Sequence, residues 1–185
     1  ALRPDNPDFA YNSGFFHRDA CVILELQAER ALRKAKGEQR VRKSGEDVPI
    51  EEAVYETVQV DVEPAEAEKL RTEAAAKRSE AMEQAQLSYQ AYRDAARLAP
   101  DDVRVINDAA LVMVYHIRKD VPEMEALLQR AIDLGAKQKD DPDLSPDDLD
   151  NLLEAWGDAH QNMGLVYLTL KNDPATARTW FEKAF

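Results

Sequence analysis

The sequence predicts an all-α protein, arranged as a helical solenoid of antiparallel helix pairs. Its 185 residues include only six glycines, and Ala, Glu, Leu, Lys and Arg are abundant, a composition that favours helix. Small, aliphatic and aromatic side chains recur three and four positions apart, which is the spacing of one apolar helix face. Prolines such as Pro100 and Pro122 separate these segments at points where a helix can begin. Two helices per unit, with alanine where they cross and proline between units, is the pattern of a solenoid.

The charge of the chain restricts its partners. The formal net charge is -12 and the sequence pI is about 4.7, so the surface disfavours nucleic acid and anionic membrane and favours neutral or basic partners. Cys21 is the single cysteine, which excludes an intramolecular disulfide and suits the cytoplasm. No apolar run approaches the roughly 18 residues of a membrane span. The first residues lack a signal-peptide pattern, but a periplasmic or secreted origin stays open because a signal could lie outside this sequence.

Residues 8–99 are predicted to form one long helical hairpin with an insertion at its tip, residues 37–64. The first helix extends to about Lys36, and Pro64 starts a second helix that continues to about Ala99. Gly14 lies in the interior of the first helix, where glycine costs about 1 kcal/mol relative to alanine. We therefore expect a neighbouring helix to approach closely at Gly14.

The insertion has two interpretations. Gly37 and the run from Ser44 to Asp47 are turn signals. Residues Val58 to Val62 alternate with period two, as a half-exposed strand does, and Val41 to Lys43 would pair with them in a small β-hairpin. A disordered loop is the alternative, because the segment is highly charged.

Two further helix pairs are predicted at residues 102–135 and 146–185. Gly135 is expected to end the second pair, since glycine favours the position after a helix. Ser145 and Pro146 suit the N-cap and first position of the next helix, and Asp173 is expected to cap the last one. The whole chain, residues 1–185, is then one domain. We expect it to belong to a longer array, since its first residues resemble a turn between units and its last residue ends a helix.

The spacing of small and aromatic residues resembles the tetratricopeptide repeat (TPR) family. The repeat has a small residue and an aromatic in its first helix, then alanine, an aromatic and alanine in its second helix. This pattern recurs in phase three times, and the residues that carry it are Gly14 and His17 with Ser88, Tyr92, Ala95 and Pro100; Ala109, Ala110 and Met113 with Met124, Leu128 and Ala131; and Gly164 and Tyr167 with Ala177, Phe181 and Ala184. The resemblance implies a right-handed solenoid of three units, the first of which carries the insertion.

The resemblance also implies a binding surface, because TPR arrays bind peptides on the concave face of their first helices. The expected groove residues are Tyr11, Asn12, Phe15, Arg104, Asn107, Asp108, Leu111, Asp158, Gln161, Asn162 and Leu165. One branch of the family holds a partner's C-terminal carboxylates with Lys, Arg and Asn. This groove has Arg104 but no Lys, and three Asp when Asp8 is included, so the carboxylate clamp is rejected. A neutral or basic segment of a protein partner fits better.

The side chains that could support catalysis or metal binding are expected to have structural roles instead. His17, His116 and His160 lie on different predicted helices without metal-ligand spacing, so packing is preferred to metal binding. Cys21 stands among apolar residues, which favours a buried thiol over a nucleophile. We find no phosphate-binding glycine loop and no candidate catalytic triad. The sequence therefore predicts no catalytic residues, no metal and no cofactor.

Two charged segments are also expected to have structural rather than ligand-binding roles. Asp141, Asp143, Ser145 and Asp147 imitate the start of a calcium loop, but Pro146 replaces the required glycine, so a helix-entry turn is preferred. The basic stretch 30–43 could contact nucleic acid. The returning arm, residues 51–68, is acidic, so we expect the two arms to neutralise each other.

The leading hypothesis is a non-enzymatic scaffold or adaptor that binds a peptide or protein segment on the concave helix face. One alternative is a regulatory or substrate-docking domain of a larger enzyme. Another is a structural, self-assembling repeat module, because the end faces of a short array are apolar and favour a homo-oligomer. The insertion is a candidate second contact site, since insertions in such arrays map to loops on one face.

Overall fold

The computed structural model describes residues 5–44, 49 and 52–184, and it is mostly helical. The elements are α1 (Pro7–Ala35), β1 (Glu38–Arg42), β2 (Tyr55–Gln59), α2 (Pro64–Leu98), α3 (Val103–Val112), α4 (Val121–Gln138), α5 (Pro146–Leu165) and α6 (Pro174–Phe181). The all-α prediction with a small hairpin in the insertion is confirmed. The predicted turn at the N-terminus, the turn residues 45–47, Glu51 of the acidic arm and Phe185 lie outside the described residues.

The chain divides into two compact units. Residues 1–20 and 82–185 form one, here called the helical unit, and residues 21–81 form the other, here called the hairpin unit.

Capping side chains start the last four helices. Asp102, Asp120, Ser145 and Asp173 each accept a hydrogen bond from the backbone amide three residues later, at 3.0 to 3.3 Å. Such caps satisfy amides that have no partner within the helix. Proline follows three of these caps at the first or second helical position, where its missing N–H costs nothing. The predicted helix starts after Pro100, at Asp120 and at Ser145 are therefore confirmed.

The core of the helical unit is built from side chains of α2, α3, α4 and the turn that follows α5. Tyr92, Ile106, Met124, Leu128 and Val166 are fully buried there. Burial of this kind is worth about 1.5 to 3 kcal/mol for each large side chain.

Gly135 does not end α4, contrary to the sequence-based expectation, because the helix continues to Gln138. A Cβ atom at Gly135 would lie 2.6 Å from Cγ of Trp156 on α5. Glycine is needed here for the approach of the indole ring rather than for a helix stop.

The close approach predicted at Gly14 is present in the helical unit. A Cβ atom there would lie 2.8 Å from the ring of Tyr92 on α2, and the Ser88 hydroxyl donates to the Gly14 carbonyl at 2.7 Å. His17 bonds Gln84 at 2.7 Å one turn further along α1. The contacts run in opposite directions along the two helices, so α1 and α2 pack antiparallel in this unit.

The hairpin unit contains the two strands and the adjoining parts of α1 and α2. β1 and β2 pair antiparallel, with Glu38 opposite Gln59 and Arg42 opposite Tyr55. The strands lie about three residues earlier than the sequence predicted. On the helices, Ala28 and Ala31 pack with Ala74 in a small core, since alanine lets helix backbones approach closely.

Replacement of Gly37 by alanine should weaken the base of the hairpin. Gly37 has φ +77°, and a Cβ atom there would collide with the Val60 carbonyl. The expected local cost is about 1 to 3 kcal/mol, the range for a non-glycine residue held in such a conformation. Hydrogen exchange of the Val60 amide, which donates to the Gly37 carbonyl at 2.9 Å, reports it. Gln39→Ala, an exposed change in the same strand, is the control, and equal exchange in both variants would contradict the prediction.

Candidate functional site

Side-chain bonds join α1, α3 and α5 within the helical unit. The Tyr11 hydroxyl donates to Oδ2 of Asp108 at 2.9 Å, which links α1 to α3. Nη2 of Arg104 donates to Glu154 at 2.7 Å and to the Asn151 carbonyl at 3.2 Å, which links α3 to α5. The side of these three helices that carries the predicted groove residues is called the first-helix face below.

The predicted groove residues differ in how far they reach solvent. Asn12, Phe15 and Gln161 are exposed; Tyr11, Arg104, Leu111, Asp158 and Leu165 are half-buried; Asn107, Asp108 and Asn162 are buried. The exposed and half-buried members can contact a partner directly. The buried members shape the face from below.

Asn107 and Asn162 form a buried pair between α3 and α5. Nδ2 of Asn162 donates to Oδ1 of Asn107 at 2.9 Å, and the two residues are only 3% and 1% exposed. A buried amide pair of this kind fixes the relative position of two helices, because either partner alone would be left unsatisfied.

Asp108 is a buried acid with incomplete compensation. It accepts the Tyr11 hydroxyl, but Nη1 of Arg18 lies 3.9 Å from the same oxygen, beyond the 2.7 to 2.9 Å typical of a charge-assisted hydrogen bond. Burial raises the pKa of Asp108, and the Tyr11 bond and the charges of Arg18 and Arg104 oppose that rise only in part. The ionised carboxylate is therefore held here at a cost.

Further acidic and phenolic groups extend this environment along the face. Burial raises the pKa of Asp158, and the Glu154 carboxylate adds to the rise. Burial and the negative charge of Asp108 raise the pKa of Tyr11 to about 12. Burial and the charge of Asp158 likewise raise the pKa of Tyr115. Each raised pKa means that the neutral form of the acid or phenol is favoured. A positive charge brought close to these groups would stabilise their ionised forms.

Asp108→Asn should stabilise the protein relative to wild type at neutral pH. Because the folded-state pKa is raised, the folded protein binds more protons than the unfolded chain as pH rises above the ordinary Asp value of 3.8, so ionisation of Asp108 lowers stability. The advantage of the variant should therefore grow with pH and disappear in acid. Denaturant unfolding between pH 3 and 7 measures it, with the exposed Asp150→Asn as a control of equal charge change. A variant advantage that shrinks as pH rises would contradict the prediction.

Sequence reasoning missed three residues on this face: Arg18, Tyr115 and Glu154. Helical spacing could have found all three. Arg18 lies seven residues after Tyr11, Tyr115 lies four after Leu111, and Glu154 lies four before Asp158, so each shares a helix face with a predicted residue.

Cys21 and His160 have structural surroundings. Cys21 is buried, and burial, followed by the charge and hydrogen bond of Glu25, raises the pKa of its thiol to about 11. This opposes formation of a thiolate nucleophile, so the predicted buried thiol is confirmed. Nδ1 of His160 lies 2.9 Å from the Trp156 carbonyl, and its ring packs edge-on against the Trp156 indole.

The hairpin unit contains a separate cleft with a volume of about 930 Å³. Its lining includes the basic side chains Arg30, Arg33, Lys34 and Arg40 and the acidic side chains Glu29, Glu38, Asp61, Glu63 and Glu66. Lys43 pairs with Glu56 across the hairpin. The mixed signs give the cleft no clear preference for an anionic or a cationic ligand.

Two further findings concern the chain as a whole, its helices and its similarity to known proteins. None of the helices in the described part of the chain combines the length and apolar character needed to cross a membrane. No family model, no curated protein and no solved structure matches the chain. Function must therefore be inferred from the geometry of the chain's own residues.

Proposed function

We propose that the chain is a non-enzymatic protein-interaction module, a right-handed TPR-like solenoid whose first-helix face binds a neutral or basic segment of a partner protein. The observation that carries the proposal is the row of side-chain bonds that joins α1 to α3 and α3 to α5. Neighbouring first helices of this kind present one continuous surface, on which an extended or helical segment can lie.

The packing of glycine against an aromatic ring supports a repeated unit. Gly14 of α1 meets the ring of Tyr92 on α2, and Gly164 of α5 meets the ring of Phe181 on α6, where a Cβ atom would come within 2.8 and 2.5 Å of ring carbons. In both pairs the small residue is on the first helix and the aromatic on the second, as in the TPR pattern.

The connections within the second and third helix pairs also repeat. α3 continues into a π-helical turn, Met113–Ile117, and α5 into another, Val166–Leu170. Each turn is followed by a residue of positive φ, Arg118 at 55° and Asn172 at 52°, and then by an aspartate cap. The shared order of π-turn, positive-φ residue and aspartate cap is what two copies of one structural unit should have.

The chemistry of the face supports the class of partner. Asp108, Glu154 and Asp158 contribute three carboxylates, while Arg104 is engaged by Glu154. Phe15 and Tyr115 add exposed aromatic surface, 37% and 46% accessible. Aromatic and acidic groups together favour a segment with apolar anchors and positive rather than negative charge.

Affinity capture from a lysate of the source organism tests the proposal. The bait is wild type, the double variant Phe15→Ala with Gln161→Ala, or the control Leu87→Ala with Gln90→Ala, which changes exposed residues of α2. We expect a partner that binds wild type and the control but is lost from the face variant. Its binding segment, made as a synthetic peptide, should then compete.

Circular dichroism of the three baits excludes unfolding as the cause. These substitutions are on the surface, so each should change stability by no more than about 0.5 kcal/mol. Equal capture by the face variant and wild type would refute the first-helix face as the binding surface. Reversible self-association with no captured protein would instead favour a self-assembling module.

A further inference from the structure

One buried hydroxyl on α2, that of Tyr92, is not explained by packing. Tyr92 is fully buried, and in the described part of the chain its hydroxyl is the one buried side-chain polar atom without a hydrogen-bond partner. Phenylalanine would supply the same ring against Gly14 and leave no polar atom to satisfy. A buried, unpartnered hydroxyl destabilises a fold, so its presence calls for another reason.

The Tyr92 ring packs against Tyr11, whose hydroxyl donates to the Asp108 carboxylate. Burial raises the pKa of Tyr92, and the charges of Asp108 and Arg18 and the phenol of Tyr11 act on the same group. The rings of Tyr11 and Tyr92 meet edge-on with centroids 5.4 Å apart. Two phenols and one carboxylate therefore converge between α1, α2 and α3.

The cation nearest to this cluster is only loosely engaged. Nη1 of Arg18 is 3.9 Å from Asp108, and the same guanidinium lies over the Phe15 ring at 5.0 Å. The Arg18 side chain is 22% exposed, against 10% for that of Asp108, so Arg18 is the more accessible member of this pair. Arg104 is bonded to Glu154, and Asp158 adds further negative charge nearby.

We propose that Asp108, Tyr92 and Tyr11 form an anchor for one arginine side chain of the bound partner segment, which takes the place beside Asp108 that Arg18 holds loosely. The proposal rests on the proposed function, since the anchor belongs to the same face. A guanidinium carries five donors in a planar fork, so it can bond a carboxylate and a hydroxyl together. The rings of Tyr11 and Phe15 add cation–π attraction.

The anchor predicts a separation of stability from binding. Tyr92→Phe removes only the unpartnered hydroxyl, so the variant should unfold at the same or a higher temperature than wild type. It should nevertheless bind arginine more weakly, because one acceptor for the guanidinium is gone. A purely structural tyrosine would not show both effects.

Peptide titration followed by NMR tests the anchor on the full chain. The probes are acetyl-Gly-Arg-Gly-amide, its citrulline counterpart, which is neutral and nearly isosteric, and its lysine counterpart. We expect the arginine peptide to shift the amide resonances of Gly14 and Asp108. The citrulline peptide should bind at least about tenfold more weakly, as loss of a charged hydrogen bond implies. Asp108→Asn and Tyr92→Phe should each weaken arginine binding, whereas the exposed Asp150→Asn should not.

The possible results are distinguishable from one another. Equal binding of arginine and citrulline peptides, or unchanged arginine binding by Tyr92→Phe, would overturn the anchor. Binding of the lysine peptide equal to that of arginine would also overturn the guanidinium assignment. If a captured partner is lost from the Phe15 and Gln161 variant but retained by Asp108→Asn and Tyr92→Phe, only the anchor is wrong. If the arginine peptide binds as expected while capture is unaffected by the face variant, the anchor stands and the proposed partner surface does not.

Discussion

Gly135→Val is expected to lower the free energy of unfolding by about 3 kcal/mol, at the upper end of the range for overpacking a core. The added Cβ would lie 2.6 Å from Cγ of Trp156 and 3.0 Å from its Cβ, distances that real side chains do not tolerate. The indole cannot simply rotate away, because its Nε1 donates to the Ile132 carbonyl at 3.0 Å. Its edge-on contact with His160, with centroids 5.1 Å apart, restrains it on the other side.

Gly157→Val is the matched control for this prediction. Gly157 also lies inside a helix, so the effect of valine on helix propensity is the same in both variants. Among the described residues, a Cβ atom at Gly157 meets only the Ala184 carbonyl, at 3.2 Å. Urea denaturation of both variants should show a loss at least about 2 kcal/mol larger for Gly135→Val. Equal losses would mean that the approach of Trp156 does not depend on glycine.

Asn162→Ala is expected to cost about 2 kcal/mol, although the residue was predicted from the sequence to lie in the groove. The substitution removes the donor to Asn107 and leaves a carbonyl that is 1% exposed without its partner. An unsatisfied buried polar group carries a desolvation penalty of about 1 to 3 kcal/mol. The exposed Asn12→Ala should change stability by no more than about 0.5 kcal/mol.

A double-mutant cycle separates the pair from its surroundings. Asn107→Leu and Asn162→Leu should each destabilise alone, whereas the double variant should recover much of the loss, because removing both polar partners leaves neither unsatisfied. Additive losses would show that the two amides do not depend on each other. Because the two asparagines are buried and stabilise the fold, the exposed Phe15 and Gln161 are the better residues for the capture experiment.

Part of the first-helix face could be predicted from sequence and part could not. The TPR resemblance implied that Phe15 and Gln161 belong to the groove, and both are exposed. A repeat pattern cannot say how closely neighbouring helices approach. Asn107, Asp108 and Asn162 have the right phase but lie where α3 meets its neighbours, so they are buried. Their burial depends on interhelical distance, which is a property of the packed state.

The sequence by itself determined the helices and their starts, and it offered the hairpin as one of two interpretations of the insertion. These features depend on neighbours in the chain: aspartate or serine caps reach amides three residues away, proline fixes φ at a helix start, and alternation selects a strand. Only the tertiary structure decided the use of Gly135 and the contacts of Asp108. Trp156 reaches Gly135 from 21 residues further along the chain, and Tyr11 bonds Asp108 across a separation of 97 residues. Contacts so distant in sequence arise only when helices pack, because they depend on the distance between helices rather than on neighbours in the chain.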